Sequence, residues 1–239
     1  MSTKTDSWSV ENKKFNFPDQ EIQRMWPDST VFIIGGGRSL NKTNLEWDDI
    51  NGDVILQSIS NDLSCIHNEK VIGVNNSYEL GDWVDICFYG DTRWFDWNKE
   101  GLKKFNNLIV CCHPHNKIEW VKTINRENGF GINTEPDRVS WNKSSGASAI
   151  NLAYHLGAKN VVLIGFDMFA KADGEDNFHK KHEITNELSK TPYERMLSAF
   201  PEIKIDADKL GMRIINANLI SKIECFEKME LSEAIENLK

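Results

Sequence analysis

One segment limits what this chain can become more than any other. Residues 144–148 read SSGAS, residues 156–159 read LGAK, and residues 161–169 read VVLIGFDMF. The order is a turn of small residues, an amphipathic helix, a short capping loop, a buried strand and then an acid. Ala149, Ile150, Ala153 and Leu156 lie close to a 3.6-residue period, and Gly157 stands where a C-cap glycine belongs. The unbroken apolar run at 161–164 is the pattern of a strand buried on both faces of a parallel sheet. In such sheets ligands lie beyond the carboxyl ends of the strands, so Gly165 and Asp167 are expected at the active edge. Ser144, Ser145 and Gly146 would then offer hydroxyls and backbone N–H groups at a helix N-terminus, a favourable place for a phosphate or carboxylate.

A second strand and turn repeat the theme. Residues 31–34 read VFII, and Gly35, Gly36, Gly37, Arg38, Ser39 and Leu40 follow at once. Glycines let a backbone turn left-handed and come close to a ligand. The spacing is neither the dinucleotide fingerprint nor a P-loop. Taken alone it fits a plain tight turn equally well. Two such turns, both after buried strands, point to a nucleotide crevice.

The rest of the chain supplies the sheet. Strands are expected at 71–74, 85–89, 108–111 and 213–216, and helices at 94–105, from 191 through 200, and from about 221 to 238. Residues 45–50 read as a short helical piece, and 54–59 as either strand or helix. This alternation predicts an α/β fold: a Rossmann-like, doubly wound, mostly parallel sheet in a single domain. Residues 1–28 read as a polar arm, 29–239 as the nucleotide-binding domain, and 113–143 as a long loop. The charged stretch 170–190 is a lid candidate.

Composition narrows the partners. A net charge of −8 over 239 residues argues against a broad nucleic-acid-binding surface. No apolar run reaches membrane-spanning length and no signal-peptide pattern opens the chain, which suggests a cytoplasmic protein with no membrane span. The five cysteines form neither a disulfide framework nor a zinc pattern, so reduced, buried thiols are expected. A homo-oligomer is compatible with all of this.

Four strand ends carry polar residues: Gly35 to Ser39, Asn75 with Asn76, Gly90 with Asp91, and Gly165 with Asp167. Asn amides pair well with ribose hydroxyls and base edges. Asp91 or Asp167 can bind ribose, hold Mg²⁺ through water, or act as a base. Each also has a plainer reading as a cap or loop hydrogen bond. His179 and His182 stand in the lid candidate, and an imidazole is the natural proton carrier near neutral pH. His113 and His115 can line the same crevice, whereas His67 and His155 read as structural. Trp94, Trp97 and Trp141 lie close enough to loops to touch a base or sugar.

GGGRSL, GVNNSYELGDWVDICFYGD, SSGASAINLAYHLGAKNVVLIGFDMF and RIINANLISKIECFEKMEL together resemble phage and prophage proteins labelled "norphogenetic protein". That group is similar to archaeal 6-hydroxymethylpterin pyrophosphokinase-like proteins and to the small bacterial sialyltransferases. The resemblance spans residues 30 to 230. It implies that Gly35, Gly37, Ser39, Asn75, Ser145 and Gly146 hold a nucleotide and that His182, or else His179, is the base. Arg38 replaces a family proline, Met168 interrupts an aromatic pair, and the acceptor-binding lid of the family has no obvious match here, which leaves donor sugar and acceptor open. The leading expectation is a nucleotide-dependent glycosyltransferase acting on a glycan or small-molecule acceptor from a CMP- or UDP-linked donor. The alternatives are a pyrophosphokinase using ATP and Mg²⁺ held by Asp91 and Asp167, and a non-catalytic phage structural or interaction protein.

Overall fold

A computed structural model of the chain describes residues 21–40, 45–48, 54–57, 63–114, 118–169 and 192–238. In chain order the elements begin with β1 (Ser29–Ile34), β2 (Leu45–Asp48), β3 (Val54–Gln57), β4 (Lys70–Val74) and β5 (Ile86–Tyr89). Then come α1 (Thr92–Leu102), β6 (Leu108–Cys111), β7 (Lys122–Thr123), β8 (Asn125–Glu127) and β9 (Arg138–Ser140). The chain continues with α2 (Ser145–Leu156), β10 (Ala158–Ile164), α3 (Tyr193–Leu197) and α4 (Phe200–Lys209). It closes with β11 (Arg213–Asn216), β12 (Glu227–Lys228) and α5 (Leu231–Asn237).

Among the described residues, eight strands form one sheet in the order β12-β11-β10-β1-β4-β5-β6-β7, and every pairing in it is parallel. Alternate residues feed opposite cores, as a strand's two-residue period requires. Val31 and Ile33 join one apolar cluster, which α2 and α4 cover. Phe32 and Ile34 join the other, against residues of α1 and α5. Helices on both faces make the sheet doubly wound, as its continuous apolar strands indicate. From β1 the chain steps to β4, β5 and β6; it later returns beside β1 as β10 and moves the opposite way to β11.

Several local expectations change. Residues 45–48 are extended, not helical, because β2 pairs antiparallel with β3. The 113–143 stretch holds β7 on the main sheet edge and a separate parallel pair, β8 with β9. The helix expected from 191 through 200 is two helices, with Pro201 opening α4, where its missing N–H costs nothing. The helix expected at 221–238 shrinks to α5. Ile223, Phe226 and Met229 mimic a helical period, but β12 pairs with Ile215 and Asn216 of β11 instead. Of the N-terminal arm, residues 1–20 lie outside the described residues. Ile22 and Trp26 are buried, and Trp26 N and Asp28 N donate to Leu156 O and Gly157 O. Cys87, Cys111 and Cys112 are buried as expected, but Cys65 is exposed. No helix among the described residues is long and apolar enough to cross a membrane.

α2 carries the expected caps. Ser144 Oγ accepts from Ala147 N, and Gly157 closes the helix at φ 104°. Near that end, His155 Nε2 sits 2.8 Å from Arg138 O, a carbonyl that can only accept, so Nε2 is the donor. Burial holds the His155 pKa below its usual 6.5. The folded chain therefore binds this proton less readily than the unfolded chain, and stability should fall as pH drops below about 6.5. His155→Gln keeps an N–H donor and cannot titrate. Its urea midpoint should drop less than that of the wild type between about pH 7.5 and about pH 5.

Candidate functional site

The chain leaves β1 and β10 toward opposite sides of the sheet, so a crevice opens at their carboxyl ends. Pairing continues past both strands: Gly35 N donates to Ile164 O and Gly37 N to Gly165 O, each at 2.8 Å. A cleft of about 400 Å³ lies at this edge. All three glycines of the first turn line it, with Asn75 and Asn76 after β4 and Asp91 after β5. Ser144, Ser145 and Gly146 border it from the start of α2, as do Gly165, Phe166 and Asp167 after β10. The four polar strand ends read from the sequence thus meet in one place.

Ser39 is the exception, and Asp167 explains it. Ser39 N donates to Asp167 Oδ2 at 2.9 Å and Ser39 Oγ to Asp167 Oδ1 at 2.5 Å. Asn218 Nδ2 adds a third bond to Oδ1 at 2.7 Å. Asp167 as a whole is 3% exposed. Burial pushes its pKa up, while the donors from Ser39, Asn218 and the Arg38 backbone pull it down. Asp167 therefore clasps the glycine turn to the end of β10, with both oxygens occupied.

The glycines answer to that clasp. Neither Gly35 nor Gly37 adopts the left-handed backbone expected of the turn. A Cβ on Gly37 would lie 2.5 Å from the Asp167 carboxyl, and one on Gly35 would lie 2.7 Å from Gly165 O and 3.1 Å from the Phe166 ring. A Cβ on Gly146 would meet the same ring at 3.0 Å. Close packing against the β10 end, rather than handedness, requires small residues here. Left-handed backbone does occur at Gly165, Asn75, Asn142, Lys143 and Met168.

The two asparagines differ. Asn76 is buried, receives Trp94 Nε1 at 2.7 Å, and donates to Asn98 Oδ1 and Glu79 Oε1. It braces α1 against the β4 end. Asn75, at φ 53°, lines the cleft with a buried Oδ1 that has no partner. A buried acceptor left unpaired is costly, and a ligand N–H or O–H would satisfy it.

Ser145 Oγ accepts from Gly90 N at 3.1 Å, which ties α2 to the β5 end and leaves the hydroxyl hydrogen unassigned. Asp91 caps α1 by accepting from Arg93 N at 2.9 Å, with the Arg93 guanidinium 3.4 Å away. Trp94, Trp97 and Trp141 all border the cleft. Arg126 stacks 4.3 Å above the Trp141 ring and donates to Gly90 O, which fixes that ring over the strand end.

Among the described residues, no three His, Cys, Asp or Glu side chains are grouped to hold a metal ion. His179, His182, His115 and the 170–190 lid candidate lie outside the described residues. His113 is described but does not line the cleft. Sequence reasoning missed Asn218, Phe166, Lys143 and Arg195. Only Asn218 carried a signal, in the N-L-I-S run at 218–221, whose Ser221 Oγ donates to Phe166 O.

Fold and site together define a single-domain α/β protein with a Rossmann-like, mostly parallel sheet and a cleft at the carboxyl ends of its strands. Comparison with solved structures finds the MAf glycosyltransferase of Magnetospirillum magneticum AMB-1, at TM-score 0.56 and 10% identity. The match covers 93% of this chain but 37% of that one, so this chain spans little more than a third of that enzyme. The sialyltransferase CstII of Campylobacter jejuni, in complex with cytidine-5'-monophosphate, aligns at TM-score 0.48 and 16% identity over 85% of each chain. No protein-family model matches the sequence, and no curated protein does.

Proposed function

We propose that this protein transfers a sugar from a nucleotide-activated donor to a hydroxyl-bearing acceptor. One observation carries the reading: Asn75, whose Oδ1 is buried without a partner, lines the cleft at the point where the sheet reverses. Nucleotides bind at such points, and base or ribose donors suit a carbonyl acceptor. The glycosyltransferase-like architecture and the sequence resemblance to small bacterial sialyltransferases support the same class.

In this reading the nucleotide lies across Gly35, Gly36, Gly37, Asn75, Ser145 and Gly146. The first turn of α2 faces the phosphate, since first-turn amides of a helix lack intrahelical partners. His182 removes the acceptor's proton, with His179 as the alternative. The acceptor oxygen then bonds to the anomeric carbon as the bond to the phosphate oxygen breaks. The pyrophosphokinase alternative would place Mg²⁺ on Asp91 and Asp167. Those carboxylates do not fit that task, because one caps α1 and the other clasps the glycine turn.

A thermal-shift screen with CMP, UDP, GDP and ATP, with and without Mg²⁺, tests the reading. A cytidine or uridine nucleotide should raise the melting temperature without Mg²⁺. Asn75→Gly, which keeps the left-handed backbone and deletes the amide, should weaken that nucleotide by about tenfold. No shift with any nucleotide would favour a non-catalytic protein that keeps only the fold.

A further inference from the structure

Among the described residues, four charged side chains border the cleft: Asp91, Asp167, Lys143 and Arg195. The two acids are engaged within the protein, Asp91 by the α1 cap and Arg93, Asp167 by Ser39 and Asn218. The two cations, contributed by different elements, make no ion pair among the described residues. The Lys143 Nζ lies 5.8 Å over the Phe130 ring. An anionic ligand entering the cleft therefore finds two cations with no ion pair of their own among the described residues.

The backbone beneath Lys143 is unusual. Asn142 and Lys143 are consecutive left-handed residues at φ 53° and 60°, and neither is glycine. Such conformations persist only where the surroundings impose them. Here Asn142 N donates to Gly129 O at 3.0 Å and Asn142 Nδ2 to Gly131 O at 2.9 Å. This anchoring sets Lys143 directly before the Ser144 cap, at the mouth of the α2 turn.

Resting on the nucleotide reading above, we infer that Lys143 and Arg195 are the cations that hold the phosphate end of the donor. Lysine binds phosphate as a point charge and arginine as a fork, and both bonds are charge-assisted. Their chemistry selects for the phosphate rather than for the base or sugar. The pair neutralises the leaving phosphate with side chains of the protein itself.

Calorimetry with nucleoside, nucleoside monophosphate and nucleoside diphosphate separates the two readings. The cytidine and uridine series are each titrated into wild type, Lys143→Asn, Arg195→Gln and the double variant. Asparagine tolerates the left-handed backbone at 143. The wild type should gain on the order of 10- to 100-fold in affinity from nucleoside to nucleotide. Each variant should lose much of that gain and the double variant nearly all of it, with nucleoside affinity unchanged. A further step at the diphosphate that the double variant erases marks a diphosphate-linked donor; a gain complete at the monophosphate marks a monophosphate-linked one. A phosphate gain that survives in the double variant overturns the assignment while leaving the nucleotide site standing. Failure of the wild type to bind any nucleoside or nucleotide overturns both readings together.

Discussion

Asp167→Ala is expected to remove much of the chain's stability and, with it, the nucleotide site. The substitution strands Ser39 N–H, the Ser39 hydroxyl and the Asn218 amide in a place almost closed to solvent. Each buried donor without a partner costs ~1–3 kcal/mol, and the three together cost about 3–5 kcal/mol once water enters the gap. A domain has only ~5–15 kcal/mol to lose. Asp167→Asn separates folding from binding. It keeps volume and one carbonyl, but turns an NH₂ toward groups that also donate. It should cost about 1–3 kcal/mol, stay folded, and still bind nucleotide more weakly, because the Gly35–Gly37 turn loses half its clasp. Urea titration and calorimetry read the two effects. An Asp167→Ala protein that unfolds at the wild-type midpoint would reduce the clasp to an incidental contact.

The second large effect belongs to catalysis. His182→Ala should lower turnover by about 10²- to 10⁴-fold, the usual loss when a general base is removed. Nucleotide affinity should stay within about twofold, because the imidazole meets the acceptor rather than the donor. The wild type should also lose turnover along an acid limb, because a protonated imidazole can no longer accept a proton. His179→Ala is the comparison and should matter less. Should both variants keep turnover and the acid limb, the proton acceptor lies elsewhere, and Asp91 becomes the next residue to replace.

The sheet was legible because its strands are continuous apolar runs, and α2 because its caps and period agree. Where several elements compete for one segment, local pattern misled. The spacing of Ile223, Phe226 and Met229 suits a helix, yet a vacant edge of β11 took residues 227–228 as a strand. The site was legible as a set of strand ends but not as a division of labour. Ser39 and Asp167 were each marked as ligand-facing, yet they face each other. That follows from a contact 128 residues apart in sequence, which no local pattern encodes. Asn75 and Asn76 are chemically identical neighbours. Only the left-handed backbone of one and the Trp94 bond of the other tell them apart.

The position of β1 in mid-sheet has a consequence for the chain as it is made. β1 leaves the ribosome before the other strands of its sheet, and its β10 neighbour is encoded more than a hundred residues later. At ~5–20 residues per second, the interval is on the order of ten seconds. During that time β4, β5 and β6 can zip onto one side, while the other side of β1 offers a bare row of amides and carbonyls. Such an edge invites pairing with another nascent chain. The arrival of β10 would end that exposure and close Asp167 over Ser39 in the same event. The covering of that edge and the first appearance of a ligand-ready cleft would then coincide, so a chain stalled before β10 would be both sticky and inert.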